Sequence, residues 1–257
     1  MRFLVTGGTG FVGRHLVNRL NDIGQVEIVD KLINKDIRGN LDKEFEGVDY
    51  VFHLAAAIQP KRVDEFYEVN VDGTKRLLER SVQNKVKRFI YASSAAVYGN
   101  GWRPINHYGL SKKVSEDLVN FYDVESNILR FFNVYGQGGR GLINTTIDSL
   151  KRDQLPIIKG DGTNTRDYVH VQDIVDALLL ACFSKKSGDT FDIGTGTSYT
   201  TNETVKRVCK LMGKEFKPIY IPGEDEINHS VAKFRYASKE LGFIARINLN
   251  KGIESLL

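Results

Sequence analysis

Tyr108 and Lys112 stand four residues apart in the segment His107-Tyr108-Gly109-Leu110-Ser111-Lys112. On a helix that spacing puts both side chains on one face. A phenol titrates near 10 in water, so its phenolate is scarce at neutral pH. A neighbouring ammonium and the positive ring of a bound hydride carrier favour the charged form, and lowering a phenol by ~3 pH units takes ~4 kcal/mol of differential interaction. A phenol tuned in this way acts as general base toward a hydroxyl and as general acid toward a carbonyl. Ser94 ends the run Val86 to Tyr91 and Ala92-Ser93-Ser94, and its hydroxyl can donate a hydrogen bond to the same oxygen. The three together suit interconversion of an alcohol and a carbonyl, a reaction that also needs a hydride carrier.

The first thirty residues read as a site for such a carrier. Arg2-Phe3-Leu4-Val5 is a short buried strand that enters Thr6-Gly7-Gly8-Thr9-Gly10-Phe11-Val12-Gly13. Val12, Leu16, Val17 and Leu20 then recur at helical spacing, and Gln25 to Asp30 is a second strand ending in an acid. Gly7 permits the tight turn. Gly10 has no Cβ, so the backbone N–H groups of the Phe11, Val12 and Gly13 turn can approach a pyrophosphate. Gly13 lets the helix pack close to the sheet, and the helix N-terminus supplies unpaired donors and partial positive charge. Asp30 can accept both adenosine ribose hydroxyls. A 2′-phosphate there would meet a carboxylate, so NAD is favoured over NADP. A further strand, from Val48, exits through Leu54, Ala55 and Ala56, whose small backbone-exposing end can lie against the cofactor. His53 on that strand reads as a packed core histidine.

Gly7-x-x-Gly10-x-x-Gly13 preceded by Thr6, then Ser94, Tyr108-x-x-x-Lys112 and the string Arg166-Asp167-Tyr168-Val169-His170-Val171-x-Asp173 span nearly the whole chain. This pattern resembles the extended, nucleotide-sugar-handling branch of the short-chain dehydrogenase/reductase superfamily. The resemblance implies that Ser94, Tyr108 and Lys112 are catalytic, with Tyr108 and Lys112 also holding the nicotinamide ribose. It implies an adenine contact from Asp36 and Ile37 at a third strand, with a surface loop acid as the alternative for Asp36, reached by a connection so short that the helix before it is absent or a turn. Asn70 opens a helix that runs through Asn84, and is either the family's brace of the sheet edge near the nicotinamide ribose or a helix cap. Ile128 to Gly136 reads as a strand and its exit; Asn133 within it matches a residue near the substrate diphosphate, with a turn cap as the alternative. Arg166 is a bidentate phosphate donor or the partner of Asp167 or Asp173; Tyr168 packs on the ligand or in the core.

The residues after Ser94 separate reactions. Related 4,6-dehydratases carry Asp-Glu there, whereas this chain carries Ala95-Ala96, and methyl groups do no acid–base work. The pattern resembles the UDP-glucose 4-epimerases, with a nucleotide sugar as substrate. A nucleotide-sugar or carbonyl reductase and a non-catalytic dinucleotide-binding regulator are the alternatives. The implied fold is α/β: a doubly wound parallel (Rossmann) sheet over residues 1–135 and a smaller α/β substrate-binding part over 136–257, from which a segment near 166–194 returns to the sheet. The resemblance also implies a homodimer, with Leu77, Leu78, Val114, Leu118 and Phe121 as interface candidates or core residues. The acidic, proline-rich insert common between positions matching Tyr98 and Tyr108 is missing, and Asp192 stands where an Asn is common.

Composition fits a globular chain of one to two domains: 257 residues, 41% hydrophobic. Lys and Arg number 36 against 32 Asp and Glu, a net charge of +4 with no long run of one sign. That argues against a nucleic-acid partner or a membrane surface. Cys182 and Cys209, the two cysteines, make neither a disulfide framework nor a metal site, so a cytoplasmic, metal-free protein is expected. The longest apolar run is too short to span a bilayer.

Overall fold

The structure is a computed structural model that describes residues 1–101, 103–223 and 227–257. From the N-terminus, β1 (Arg2–Thr6) enters the glycine turn and α1 (Phe11–Asn21), and the chain returns through β2 (Gln25–Val29). After a 3-10 turn at Lys31–Ile33 and a loop comes β3 (Tyr50–His53). Then α2 (Asp64–Tyr67) passes through one π turn, Glu68–Asp72, into α3 (Gly73–Gln83). β4 (Arg88–Ser94) is followed by a 3-10 turn at Ala95–Tyr98, α4 (His107–Phe121), β5 (Ser126–Phe131) and β6 (Asn133–Tyr135). The remainder is α5 (Leu142–Lys151), β7 (Ile157–Lys159), β8 (Thr165–His170), α6 (Val171–Phe183), β9 (Asp189–Ile193), β10 (Ser198–Thr200), α7 (Thr201–Leu211), β11 (Ile219–Ile221), α8 (Arg235–Leu241) and α9 (Leu249–Glu254).

Six strands form one parallel sheet in the order β2-β1-β3-β4-β5-β9. Strand side chains alternate between faces, and the two faces bury different cores. Phe3, Val5, Phe52, Ile90 and Leu129 pack with Leu16 and Leu20 of α1 and Ile174 and Leu178 of α6. Leu4, Val51, Phe89 and Ile128 pack on the other side with Leu77 and Leu78 of α3 and Val119 of α4. The sheet is thus doubly wound. Its strand order reverses between β1 and β3, and in such sheets that crevice, at the carboxyl ends of the strands, receives ligands. Leu77 and Leu78 are core residues of one chain, whereas Phe121 is 81% exposed.

A smaller body carries the sheets β10-β8-β6 and β11-β7. Its core joins Tyr135, Tyr168, Ile143 and Ile147 to Val205 and Val208 of α7 and Ile253 of α9. α7 begins with a reciprocal capping box between Thr200 and Glu203, which satisfies two of its orphan donors.

Three expected elements differ. No strand forms at Asp36-Ile37. Asn34 takes a left-handed conformation and Lys35 N–H donates back to the Asp30 carbonyl, so the chain folds away from the sheet edge. Ile37 is then buried in the second core. The strand and exit expected from Ile128 to Gly136 divide: β5 ends at Phe131, Phe132 N–H still bonds Ile193 O of β9, and from Asn133 the chain joins the second sheet as β6. The helix expected from Asn70 starts at Asp64, so Asn70 sits inside the π turn and is no cap. Among the described residues no helix is long and apolar enough to cross a membrane, and no cluster of His, Cys, Asp and Glu is placed to hold a metal ion.

Candidate active site

The carboxyl ends of β1, β3 and β4 meet at the switch point, and the glycine turn packs there with almost no space to spare. Gly7 has φ +70°, and a Cβ on it would lie 2.8 Å from Ala55 N. The exit of β3 is therefore pressed against the turn. Leu54 N–H donates to Thr6 O at 3.1 Å and Ala55 N–H to Thr6 Oγ1 at 3.2 Å. A Cβ on Gly13 would meet Gly8 Cα at 2.7 Å and collide with Gly7 O. Gly10 is the N-cap of α1 and offers no side chain to its first N–H groups. The backbone of Phe11, Val12 and Gly13 thus presents donors at the positive end of a helix, which suits a pyrophosphate. Asp30, at the end of β2, accepts from Thr9 N–H (3.1 Å) and Thr9 Oγ1 (2.6 Å), which ties the acid to the turn. These residues fit a dinucleotide: a Cβ-free cradle, a helix N-terminus without a side-chain cap, and a carboxylate beside them.

Asp36 lies beyond that cradle and turns to Arg38, which donates to it from Nη2 at 2.7 Å and holds its carboxyl below the usual range. Asn70 is 1% exposed and clasps the exit of β3. Its Oδ1 accepts from Ala57 N–H at 2.7 Å, and its Nδ2 donates to Ala57 O at 3.0 Å and to Ser111 Oγ at 2.9 Å. One buried amide therefore links the cradle to α4. Beneath it, burial holds His53 well below the usual histidine range, so the ring is neutral. Thr74 Oγ1 donates to Asn70 O and so accepts from His53 Nε2 at 2.8 Å; His53 Nδ1 accepts from Thr6 Oγ1 at 2.7 Å. His53 is a core strut.

α4 is started by Asn106, whose side chain accepts from Gly109 N–H at 2.8 Å. That cap sets the first helical turn, which carries Tyr108, with Lys112 one turn on. Ser94 caps the 3-10 turn after β4, accepting from Ala96 N–H at 3.2 Å, and its hydroxyl is close enough to act on the Tyr108 phenol. The three residues proposed from the sequence converge. Their electrostatics differ from expectation. Burial raises the Tyr108 phenol, and the Ser94 contact pulls it the other way. Lys112 is 2% exposed; burial lowers its amine to about 7, against an upward pull from Glu116. Lys112 Nζ donates to Ala92 O at 2.7 Å and lies 4.7 Å over the Tyr91 ring.

Residues 3–194 match the NAD dependent epimerase/dehydratase family. The chain belongs to that family. It is similar to the UDP-glucose 4-epimerase of Streptococcus mutans, at 31% identity over 291 positions, covering 90% of this chain and 86% of that one. It is also similar to the UDP-N-acetyl-alpha-D-glucosaminuronate decarboxylase of Bacillus cytotoxicus, at 29% identity, covering 89% and 85%. Among solved structures it is similar to MoeE5 in complex with UDP-glucuronic acid and NAD, with a TM-score of 0.93, 33% identity and coverage of 99% and 97%. The Streptococcus alignment is longer than the 257 residues here, so that relative carries segments this chain lacks.

The residues expected from the sequence to meet the substrate lie in the smaller body. Asn133 and Tyr168 are register partners in β6 and β8, and Arg166 lies two residues before Tyr168 on the same strand face. Asn133 is exposed, Tyr168 is 6% exposed within the smaller core, and Arg166 donates from Nη1 to Ile227 O at 2.6 Å and Thr165 O at 2.9 Å. Asp167 is held instead by Thr195, Gly196 N–H and Ala232 N–H, and Asp173 by the N–H groups of Arg246 and Ile247. Sequence reasoning missed Asn106, Ser111 and Glu116. The first precedes the helix as a cap should, and the last is four residues past Lys112, a spacing that could have been read.

Proposed function

We propose that the protein is an NAD-dependent 4-epimerase of a nucleotide sugar, of the UDP-glucose/UDP-galactose class. The observation that supports it is the convergence of Ser94, Tyr108 and Lys112 at the carboxyl end of β4, followed by methyl groups at Ala95 and Ala96. Phenol and hydroxyl can work on one carbinol, while the two positions after Ser94 offer no carboxylate for proton transfer at neighbouring carbons. NAD, when bound, takes up and returns the hydride at C4. Tyr108 takes the proton of the 4-hydroxyl as the hydride leaves and gives it back when the hydride returns, so there is no net redox change. Ser94 donates to the same oxygen, and Lys112 orients the ribose beside it.

In this reading Gly7, Gly10, Phe11, Val12, Gly13 and Asp30 hold pyrophosphate and adenosine, Asp36 and Ile37 border the adenine, and Leu54 to Ala56 with Asn70 line the nicotinamide end. Asn133, Arg166 and Tyr168 anchor the substrate diphosphate, so that the 4-keto sugar can turn while its nucleotide stays fixed. A homodimer fits the exposed Phe121 and the half-buried Val114 and Leu118 along α4. The test is incubation with UDP-glucose and, separately, UDP-galactose with NAD. Interconversion from both sides without net NADH is expected. Stoichiometric NADH consumption with a keto sugar would establish a reductase instead, and tight NAD binding with no turnover of any nucleotide sugar would establish a binding protein.

A further inference from the structure

Beneath the reacting pair lies a buried array of charges that the proton transfer above does not use. Glu116 is 1% exposed and sits on α4 one turn beyond Lys112, on the same helix face. Ser93 Oγ donates to its Oε1 at 2.6 Å. Arg130, on β5, grips both oxygens, from Nε at 2.8 Å and from Nη2 at 2.6 Å. The remaining guanidinium edge donates from Nη1 to Tyr98 OH at 2.7 Å, and that hydroxyl donates to Asp192 Oδ1 at 2.7 Å. Lys112, Glu116, Arg130 and Asp192 thus alternate in sign across α4, β5 and β9, bridged by Tyr98.

An ammonium out of water needs a counter-charge. The groups facing Lys112 are neutral His53 from β3, the Tyr91 ring and Ala92 carbonyl from β4, and Glu116 from its own helix, with Tyr108 one turn before it on the same helix face. Glu116 brings the negative charge of this set. It is itself faced by Arg130 from β5, Ser93 from β4 and Lys113 Nζ at 4.0 Å. The excess charge of Arg130 is in turn shared, through Tyr98, with Asp192. The array fixes one carboxylate rigidly behind the amine.

We propose that Glu116 is a positioning residue: a carboxylate clamped by Ser93 and Arg130 one helical turn behind Lys112 that favours the charged amine on the Ala92 carbonyl, and so raises the upper pH limit at which the phenol–amine pair works. This rests on reading Lys112 as half of the reacting pair. Removing the carboxylate lowers the pH at which the amine gives up its proton, so the alkaline limb of the pH–rate profile moves down.

The test follows the 13Cε signals of protein labelled with 13Cε-lysine through pH 5–11, with Lys112→Arg identifying the signal of interest. No substrate or cofactor is present. The wild-type midpoint is expected at about 7. In Glu116→Gln, which keeps the shape and an acceptor for Arg130, it should fall by about one pH unit or more. Glu116→Asp should lie between the two. A midpoint in Glu116→Gln coincident with wild type overturns the proposal. If the Gln variant does not fold, the Asp variant decides in the same way, a lowered midpoint supporting the proposal and an unmoved one ending it. Because the amine is titrated without turnover, failure of the epimerase reading leaves this result readable. An unmoved midpoint together with intact interconversion sinks only the role of Glu116.

Discussion

Asn70→Ala separates two roles that one residue type can fill. A helix cap replaced by Ala costs about 1 kcal/mol. The buried clasp makes three bonds, to Ala57 N–H, Ala57 O and Ser111 Oγ. Each lost bond is worth about 1 kcal/mol net, and a partner left unsatisfied out of water costs about 1–3 kcal/mol. Ala57 is only half-buried, so water can reach part of what is exposed, whereas Ser111 is fully buried. The expected loss is therefore about 2–4 kcal/mol, within the ~5–15 kcal/mol of a typical domain, so the variant still folds. Urea unfolding reads the loss as a lower midpoint at unchanged slope. Titration calorimetry with NAD reads the second consequence: a loosened β3 exit no longer lines the glycine turn, and affinity falls at least tenfold, or about 1.4 kcal/mol. A loss near 1 kcal/mol with unaltered NAD affinity would refute the clasp and restore the cap.

Gly13→Ala forces a Cβ onto the backbone at Gly7 O and Gly8 Cα, atoms that no side-chain rotation relieves. It should cost about 1–3 kcal/mol in urea unfolding and abolish measurable NAD binding; a neutral, NAD-binding variant would show that α1 has room to retreat. Tyr108→Phe keeps the ring and removes the acid–base group, so UDP-sugar interconversion should drop about 10²–10⁴-fold in a coupled assay while NAD affinity stays within a factor of a few. Lys112→Met tests the buried amine through the pH dependence of stability. The folded amine titrates at about 7 against an ordinary value of 10.5, so between those limits the unfolded chain holds more proton and wild-type stability rises with pH. The variant lacks this slope. Its stability relative to wild type, favourable by on the order of a few kcal/mol near pH 7, should shrink toward pH 10 in pH-resolved denaturant curves; parallel curves would mean the amine is not perturbed.

The glycine turn was legible because it is local. Strand, turn, helix and acid follow one another within thirty residues, and each glycine has one steric duty that the packing bears out at Gly7 and Gly13. The Tyr108–Lys112 pair was legible for the same reason, since a helix fixes what four residues of separation mean. What escaped depended on contacts between distant segments. Asn70 could be a cap or a clasp until Ala57 and Ser111 were brought to it by α4 and the β3 exit. Asp36-Ile37 was placed on a strand by resemblance, but the left-handed Asn34 turns the chain before a strand can pair with β2. The break at Phe132 is invisible in an apolar run. It exists because the β5–β9 ladder ends with Phe132 N–H on Ile193 O, and from Asn133 onward the chain pairs with β8 instead.

The electrostatics of the reacting pair carry the furthest consequence. The sequence points to a phenol lowered by an ammonium one helical turn away together with a positive carrier ring. In the folded chain burial acts on both partners first, raising Tyr108 and lowering Lys112 to about 7. A site that withholds water makes the phenolate costly until further positive charge arrives, and makes every such charge act more strongly once it does. The protein alone therefore holds Tyr108 as a neutral acid at pH 7. In the proposed reaction the base form would become accessible with a cationic ring seated at the carboxyl end of β4, which would couple proton removal to the presence of the hydride acceptor. A phenol already ionised near neutral pH in the cofactor-free protein, seen as tyrosinate absorbance that Tyr108→Phe removes, would break that coupling.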